Sequence, residues 1–427
     1  MIKRIISTPI YHPQLLALIL LILLSNFTFG SANISILELM FALIFLFLLY
    51  NSFLVSFIGK SMILKSTILI TSLFFISTII ISLIPAMING VEISLYIRRA
   101  FPFFLLFSFV PTFNIIEIKK ESINILLLVI IVVCLYDALK VLFPLYRNLN
   151  QIYLIMNLED IRIAGNGVLQ VSFPIILISL LLSTRKKATK IVLKVFLFLS
   201  LSSLILSFTR SYWLGFFSAL FLLIVILKRE DKAKLIKILF SQLVLFIFTF
   251  FILLIFKFDL ATKILSWLKD RIFSITQLTF LPTFIGRVDE LETLLEYIPK
   301  SPIYGFGLGA TYNFYNLSPF AWGGVGYKDL FYSHNFYAYH LFATGILGLL
   351  CFFLFIVTPI KVGILTYRTK KTQTLTLLAV FLSSIIFGTL FTSLTSPQFV
   401  DATSNIVIGV YIGIIAYASK YAITNIP

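Results

Sequence analysis

DRIFSITQLTFLPTFIGRVDELETLLEYIPKSPIYGFGLGATYNFYNL, residues 270–317, is the centre of the one long stretch that does not read as a membrane span. It is polar and mixed in charge. It belongs to a segment running from Phe258 to about His340, which closes on YSHNFYAYH (332–340) where the next apolar run begins. Nearly everything on either side is hydrophobic helix, so chemistry has few other places to reside.

Working outward from it, apolar windows long enough to cross a hydrocarbon core of ~30 Å recur through the chain. They lie near 14–30, 39–58, 66–84, 97–113, 123–143, 168–184, 191–208, 212–227, 235–257, 335–359, 374–396 and 403–419. Of the 427 residues, 60% are hydrophobic and only 12% charged, about half the charged share of a soluble domain. The mean hydropathy is +1.05. The fold expected is therefore all-α: a polytopic membrane protein with about twelve transmembrane helices and one large extracytoplasmic loop containing amphipathic helices. Residues 1–257 carry helices one to nine, 258–334 the loop, and 335–427 helices ten to twelve, in a single integrated membrane domain.

The net charge of +17 would suit nucleic acid if it were spread over the chain. It is not. Lys3 and Arg4, Lys60 and Lys65, Lys119 and Lys120, the Arg185–Lys190 cluster, Lys228–Lys237, Lys361–Lys371 and Lys420 all fall on alternate connections. Basic residues exceed acids by 17 on that side and equal them on the other. This is the positive-inside pattern. It predicts cytoplasmic termini and an outward-facing 258–334 loop, and it excludes a nucleic-acid partner in favour of membrane lipids. The N-terminal MIKRIISTPIYHPQ lacks a small-residue cleavage site and reads as the lead-in to a retained first span. Cys134 and Cys351 each lie in a predicted span, with no disulfide or metal-ligand spacing. No internal repeat is apparent, and one off-centre loop favours an outward-facing enzyme over a two-fold carrier.

Inside the loop, RVDELETLLEYIPK predicts an amphipathic helix. Val288, Leu291, Leu294, Leu295 and Ile298 share one face and Asp289, Glu292 and Glu296 the other, with Pro299 and Pro302 stopping it. Gly305, Gly307 and Gly309 then mark a backbone that turns tightly or approaches something closely. They do not form a dinucleotide fingerprint, since no strand–turn–helix unit surrounds them.

Arginines on the predicted outer side run against topology. Arg210, in a connection of a few residues with no acid nearby, either snorkels to the headgroups or binds an anion through its planar fork of donors. Arg287 either pairs with Glu290, three residues on, or serves the same anion. Arg162 has Glu159 and Asp160 beside it; Arg98 and Arg99 read as interfacial residues with a lesser case for lipid headgroups. His334 stands where loop becomes helix and is suited to take a proton near neutral pH. His340 reads as packing, and His12 as exposed.

Four patterns coincide in order and in topological side: IRIAGNGVLQVSFP (161–174), SFTRSYWLG (207–215), GRVDELETLLEYIPKSPIYGFGLG (286–309) and SHNFYAYHLFATGILGLL (333–350). Together they resemble the O-antigen ligase and polymerase superfamily of bacterial envelope enzymes, over roughly residues 160–360. The resemblance implies metal-independent glycosyl transfer, without a cofactor, on the outer face of the bacterial cytoplasmic (inner) membrane. The donor would be a glycan on undecaprenyl pyrophosphate, and the acceptor lipid A-core for a ligase or a growing glycan for a polymerase. It implies catalytic roles for His334, Arg210 and Arg287. It also implies that Arg210, Arg287, Arg162, Gly305, Gly307 and Asn335 contact pyrophosphate or glycan. The residues agree chemically. A pyrophosphate leaving group needs counter-charge, no outer Asp-x-Asp is present for a metal, and arginines are available. His334 would deprotonate the acceptor hydroxyl for an inverting displacement. Tyr304, Tyr312, Tyr315, Trp322, Tyr327 and Tyr332 either stack on sugars or sit at the interface. A carrier or flippase for lipid-linked oligosaccharides is the alternative, with its charges midway through the bilayer. A non-catalytic scaffold is a third possibility.

Overall fold

The computed structural model describes residues 2–25, 36–58, 66–149, 165–184, 186–273, 282–316, 326–369 and 374–424. Each of the apolar windows falls largely on helix over its described residues. Among the described residues, nine helices are long and apolar enough to cross a membrane, and His12–Leu24, Gly167–Ser183 and Arg210–Ile226 are shorter apolar ones. The chain is a multi-pass membrane protein.

The helices that build the bundle are α1 (Ile2–Leu24), α2 (Ile36–Ile58), α3 (Thr67–Ile81), α4 (Leu83–Ile88), α5 (Ile93–Leu105), α6 (Phe109–Ile118) and α7 (Ser122–Leu149). They continue as α8 (Gly167–Ser183), α9 (Lys187–Leu206), α10 (Arg210–Ile226) and α11 (Arg229–Phe256). Two helices of the loop follow, α12 (Phe258–Phe273) and α13 (Pro282–Tyr297), and then α14 (Phe336–Thr369), α15 (Thr374–Thr392) and α16 (Ala402–Thr424). The centre is α15, packed on α8, α10, α14 and α16. Its Ser383, Thr389 and Thr392 hydroxyls donate to carbonyls one turn back, so these hydroxyls are buried with their donors satisfied. Gly215 of α10 meets Gly388 of α15 so closely that a Cβ on Gly388 would lie 2.4 Å from the Gly215 carbonyl oxygen. Small residues let two helix backbones pack where lipid supplies no hydrophobic drive. At the other extreme α11 is almost wholly exposed, Phe240, Phe248 and Phe251 included, as an apolar helix at the bundle edge should be.

The tenth window is not one continuous helix. Gly345 (φ 67°, ψ −173°) breaks α14 into a short first part and a long second part. The break frees backbone groups, and the glycine-rich segment satisfies them. Phe306 N–H donates to the Phe342 carbonyl (2.8 Å), Gly307 N–H to that of Ala343 (2.9 Å), and Ile346 N–H to that of Pro302 (2.9 Å). Irregular backbone at membrane depth persists when protein encloses it in this way. Gly305 and Gly307 take positive φ, and Cβ atoms there would lie 2.5 Å and 2.3 Å from the backbones of Ala343 and Ala86. The close approach read from the glycines is to the chain's own helices.

The loop is not wholly helical either, which amends the all-α expectation. Strands β1 (Tyr312–Asn316) and β2 (Gly326–Leu330) form an antiparallel ribbon, with Tyr312 opposite Leu330 and Tyr315 opposite Tyr327. Alternation turns Tyr312, Phe314 and Leu330 inward, onto Leu294 and Phe342.

The bundle has two distinct ends. At one, Lys420 pairs with Glu117, Lys120 lies 4.4 Å over the Tyr421 ring, and the Lys228 N–H donates to Tyr367 Oη. These are the basic connections singled out from the charge pattern. The other, here the loop end, carries the ribbon, α13, the start of α10 and the start of α14.

Candidate active site at the loop end

The residue that organises the loop end is Glu290, buried to 1% exposure on α13. It shares a face with buried Leu294, one turn on, whereas Leu295, expected on the apolar face, is 55% exposed. The helix is therefore rotated from its expected setting, and an acid sits on its inner side. That acid accepts three hydrogen bonds: from the His334 backbone N–H (2.9 Å), from His334 Nδ1 (2.9 Å) and from Tyr312 Oη (3.1 Å). Tyr312 Oη also lies 2.8 Å from the Tyr332 carbonyl oxygen, a second acceptor for its proton. A carboxylate can only accept, so the proton of this pair belongs on Nδ1 and Nε2 keeps its lone pair. The His334 side chain is 28% exposed against 1% for Glu290, which leaves the imidazole reachable and its partner sheltered.

Local sequence explains the placement. Asn335 Oδ1 accepts from the Tyr337 and Ala338 N–H groups (3.0 and 3.1 Å), the N-cap geometry that starts α14 one residue after His334. Asn335 is thus engaged as a helix cap. The Tyr337 hydroxyl donates to the Leu390 carbonyl (2.5 Å), and the Phe336 N–H to that of Ser393 (3.1 Å), fixing the helix start against α15. The Tyr332 hydroxyl is pushed up to about 12 by burial and by Glu290, with Arg99 opposing. Burial and Glu290 also raise Tyr312. Neither phenol is then a base near neutral pH, and His334 is the group that can accept a proton.

Arg287 lies on α13 three residues before Glu290, half-buried, so the helix that orients His334 also carries this arginine. Arg210 is the first residue of α10 and lies at the loop end, not midway along a span. Its turn is held by Phe208, at φ 51° the sole described non-glycine residue with positive φ. A bulky residue there is strained, and it is buried edge-on against Trp267 of α12 with ring centres 5.8 Å apart. A series of contacts runs from the turn of Arg210 to that of His334. Tyr212 Oη donates to the Gly165 carbonyl (2.7 Å), the Val168 N–H to Gln398 Oε1 (3.2 Å), and the Phe399 ring lies 5.3 Å from that of Phe336. Arg162 and Trp322 lie outside the described residues. Tyr304, Tyr315 and Tyr327 are exposed, while Tyr312 is buried as a partner of Glu290. His340 is fully buried, stacked on Phe336 at 5.3 Å, in agreement with its reading as packing, and His12 is exposed as expected.

Sequence reading passed over three features. Nothing in the sequence marks Glu290 as the partner of His334. Arg99 was left at the interface, yet its guanidinium lies 3.9 Å over the ring of Phe331, three residues before His334. Asp137 went unremarked. It accepts from the Asn166 N–H (3.0 Å) and Gln170 Nε2 (2.7 Å), while Asn166 Nδ2 donates to Asp401 (2.8 Å) and Gln170 Oε1 accepts from Ser203 (3.0 Å). This buried network ties α7, α8, α9 and α16 beneath the loop end. Its signal was available: an aspartate inside the apolar run VVCLYDAL demands partners.

No curated protein matches the chain. Residues 195–353 match a family model described as O-antigen ligase, a span that includes Arg210, Arg287, Glu290 and His334. That match covers the segment that builds the loop end, and it supports the resemblance to the O-antigen ligase/polymerase superfamily.

Proposed function

We propose that the enzyme moves a glycan from a polyprenyl pyrophosphate carrier, undecaprenyl pyrophosphate in a bacterial cytoplasmic membrane, to a hydroxyl of lipid A-core or of a growing glycan. The observation that carries this reading is the Glu290–His334 pair, one helical turn from Arg287. His334 Nε2 takes the proton of the acceptor hydroxyl as its oxygen attacks the anomeric carbon. The bond from that carbon to the pyrophosphate oxygen breaks, and the configuration inverts. Arg210 and Arg287 receive the charge that builds on the departing pyrophosphate, the place where preorganised donors lower a barrier most. Guanidinium groups supply that charge without a metal ion. The charge pattern puts the basic end in the cytoplasm, which turns the loop end and its site outward. A carrier would need Arg210 midway along a span, whereas Arg210 opens its helix.

The test uses purified enzyme in lipid nanodiscs with a polyprenyl-pyrophosphate-linked glycan. Arg210→Ala, Arg287→Ala and His334→Ala are each expected to abolish transfer while leaving the protein folded. Full activity in His334→Ala would remove the base. Activity lost to a chelator and restored by a divalent cation would end the metal-free mechanism. In cells lacking the gene, long chains held on the carrier indicate a ligase, and single repeat units a polymerase.

A further inference from the structure

Arg98 and Arg99 are neighbours on α5 with opposite circumstances. Arg98 has a counter-charge, Glu38 at 3.3 Å. Arg99 forms no ion pair among the described residues, and its Nε is buried without a hydrogen-bond partner. Its guanidinium carbon lies 3.9 Å over the face of Phe331. A cation over an aromatic ring gains about 0.5–2 kcal/mol, which is less than the several kcal/mol that a partly desolvated charge costs without a partner. Among the described residues the arrangement is therefore incomplete electrostatically.

Its position says what would complete it. Phe331 adjoins Tyr332, whose ring centre lies 6.2 Å from that of His334, and Arg99 acts electrostatically on Tyr332. The vacant cationic partner is at the rim of the His334 site. It comes from residue 99, well outside the 195–353 segment that carries the family match. A guanidinium with no acidic partner among the described residues, seated on an aromatic platform, suits phosphate oxygens.

We propose that Arg99 binds a phosphate group of a phosphate-bearing lipid at the His334 rim, a contribution to the site from the amino-terminal half of the chain. The proposal rests on the functional reading above and adds a residue to it. The phosphate belongs either to the pyrophosphate-linked substrate or to a phospholipid headgroup.

The full chain in phosphatidylcholine nanodiscs, titrated with farnesyl pyrophosphate and with farnesol, separates these sources. Arg99→Gln is expected to weaken farnesyl pyrophosphate binding at least about tenfold, the size of a lost charge-assisted hydrogen bond. Farnesol binding should be unchanged, and Arg98→Gln should stay within about twofold of the parent, since its residue already has a partner. If Arg99→Gln leaves farnesyl pyrophosphate binding intact but loses phosphatidylglycerol retained in native mass spectra, the phosphate is a headgroup. If it changes neither, the proposal is overturned. Should Arg99→Gln not fold, Arg99→Lys carries the test: it keeps the charge, loses the fork, and is expected to bind measurably more weakly. Arg210→Gln and Arg287→Gln are run alongside. Loss of binding in those two, with neither farnesyl pyrophosphate nor phosphatidylglycerol lost at Arg99, sinks this inference alone, and retained binding in both sinks the pyrophosphate reading itself.

Discussion

At the scale of single residues, the proposed chemistry hangs on which nitrogen of His334 carries the proton. Glu290 decides it by accepting from Nδ1. Glu290→Gln keeps the shape but presents an amide that can donate to Nδ1, which moves the proton to Nε2 and removes the lone pair that must face the acceptor. The expected result is a fall in kcat of about 10²–10⁴, the range of a general-base contribution, with KM little changed. Steady-state kinetics on purified protein measure both, and a parental kcat would show that the tautomer is irrelevant. Tyr312→Phe is a milder probe. It removes one donor to Glu290, should lower stability by about 1 kcal/mol in thermal unfolding, and should leave most activity.

At the scale of elements, the break in α14 and the loop that seals it set where His334 stands. Two glycines test this by contrast. Gly90 has positive φ and open space around it, so Gly90→Ala meets only backbone strain, about 1–2 kcal/mol. Gly307 has positive φ and the Ala86 backbone in the way, so Gly307→Ala adds overpacking and should cost about 1–3 kcal/mol more. Equal melting temperatures for the two variants would mean that the loop is not sealed onto the helix as described. The start of α16 offers a pH test. Burial raises the Asp401 carboxyl above its ordinary value, against hydrogen bonds from Ser404 and Asn166 that lower it. A group with a raised folded value stabilises when protonated. Its contribution is full below the ordinary carboxylate range and fades as pH rises through the folded value. Melting of the parent should fall across that window relative to Asp401→Asn, which carries no proton to lose. Parallel pH curves would refute this.

At the scale of the molecule, the site is assembled from segments distant in sequence. The start of α10 brings Arg210, α13 brings Arg287 and Glu290, the loop brings His334, and α5 brings Arg99. In the proposed site, Arg210 stands at the start of the helix that the glycine-on-glycine crossing packs against α15. Gly388→Val should force those helices apart, costing about 1–3 kcal/mol of stability. It should also lower kcat without altering any residue of the site, because misplacement by about 1 Å already costs catalysis. Unchanged kinetics in a variant with a lowered melting temperature would show that this crossing does not position Arg210.

Much of this could be read from the chain alone, for a physical reason. Hydropathy and the sidedness of Lys and Arg are sums over many residues, so the apolar windows and the separation of the two ends needed no coordinates. Four short patterns were enough to indicate the superfamily. Other features depended on single contacts between remote segments. Periodicity put Leu295 inside and overlooked Glu290, because a rotation of α13 by a fraction of a turn exchanges them, and only packing against Phe314 and Phe342 selects the rotation. The three loop glycines announced a close approach without naming its object, which is a broken helix beginning thirty residues later. Nothing local distinguishes Arg99 from Arg98. One is paired with Glu38 and the other lies over Phe331, and that difference is made by the tertiary fold.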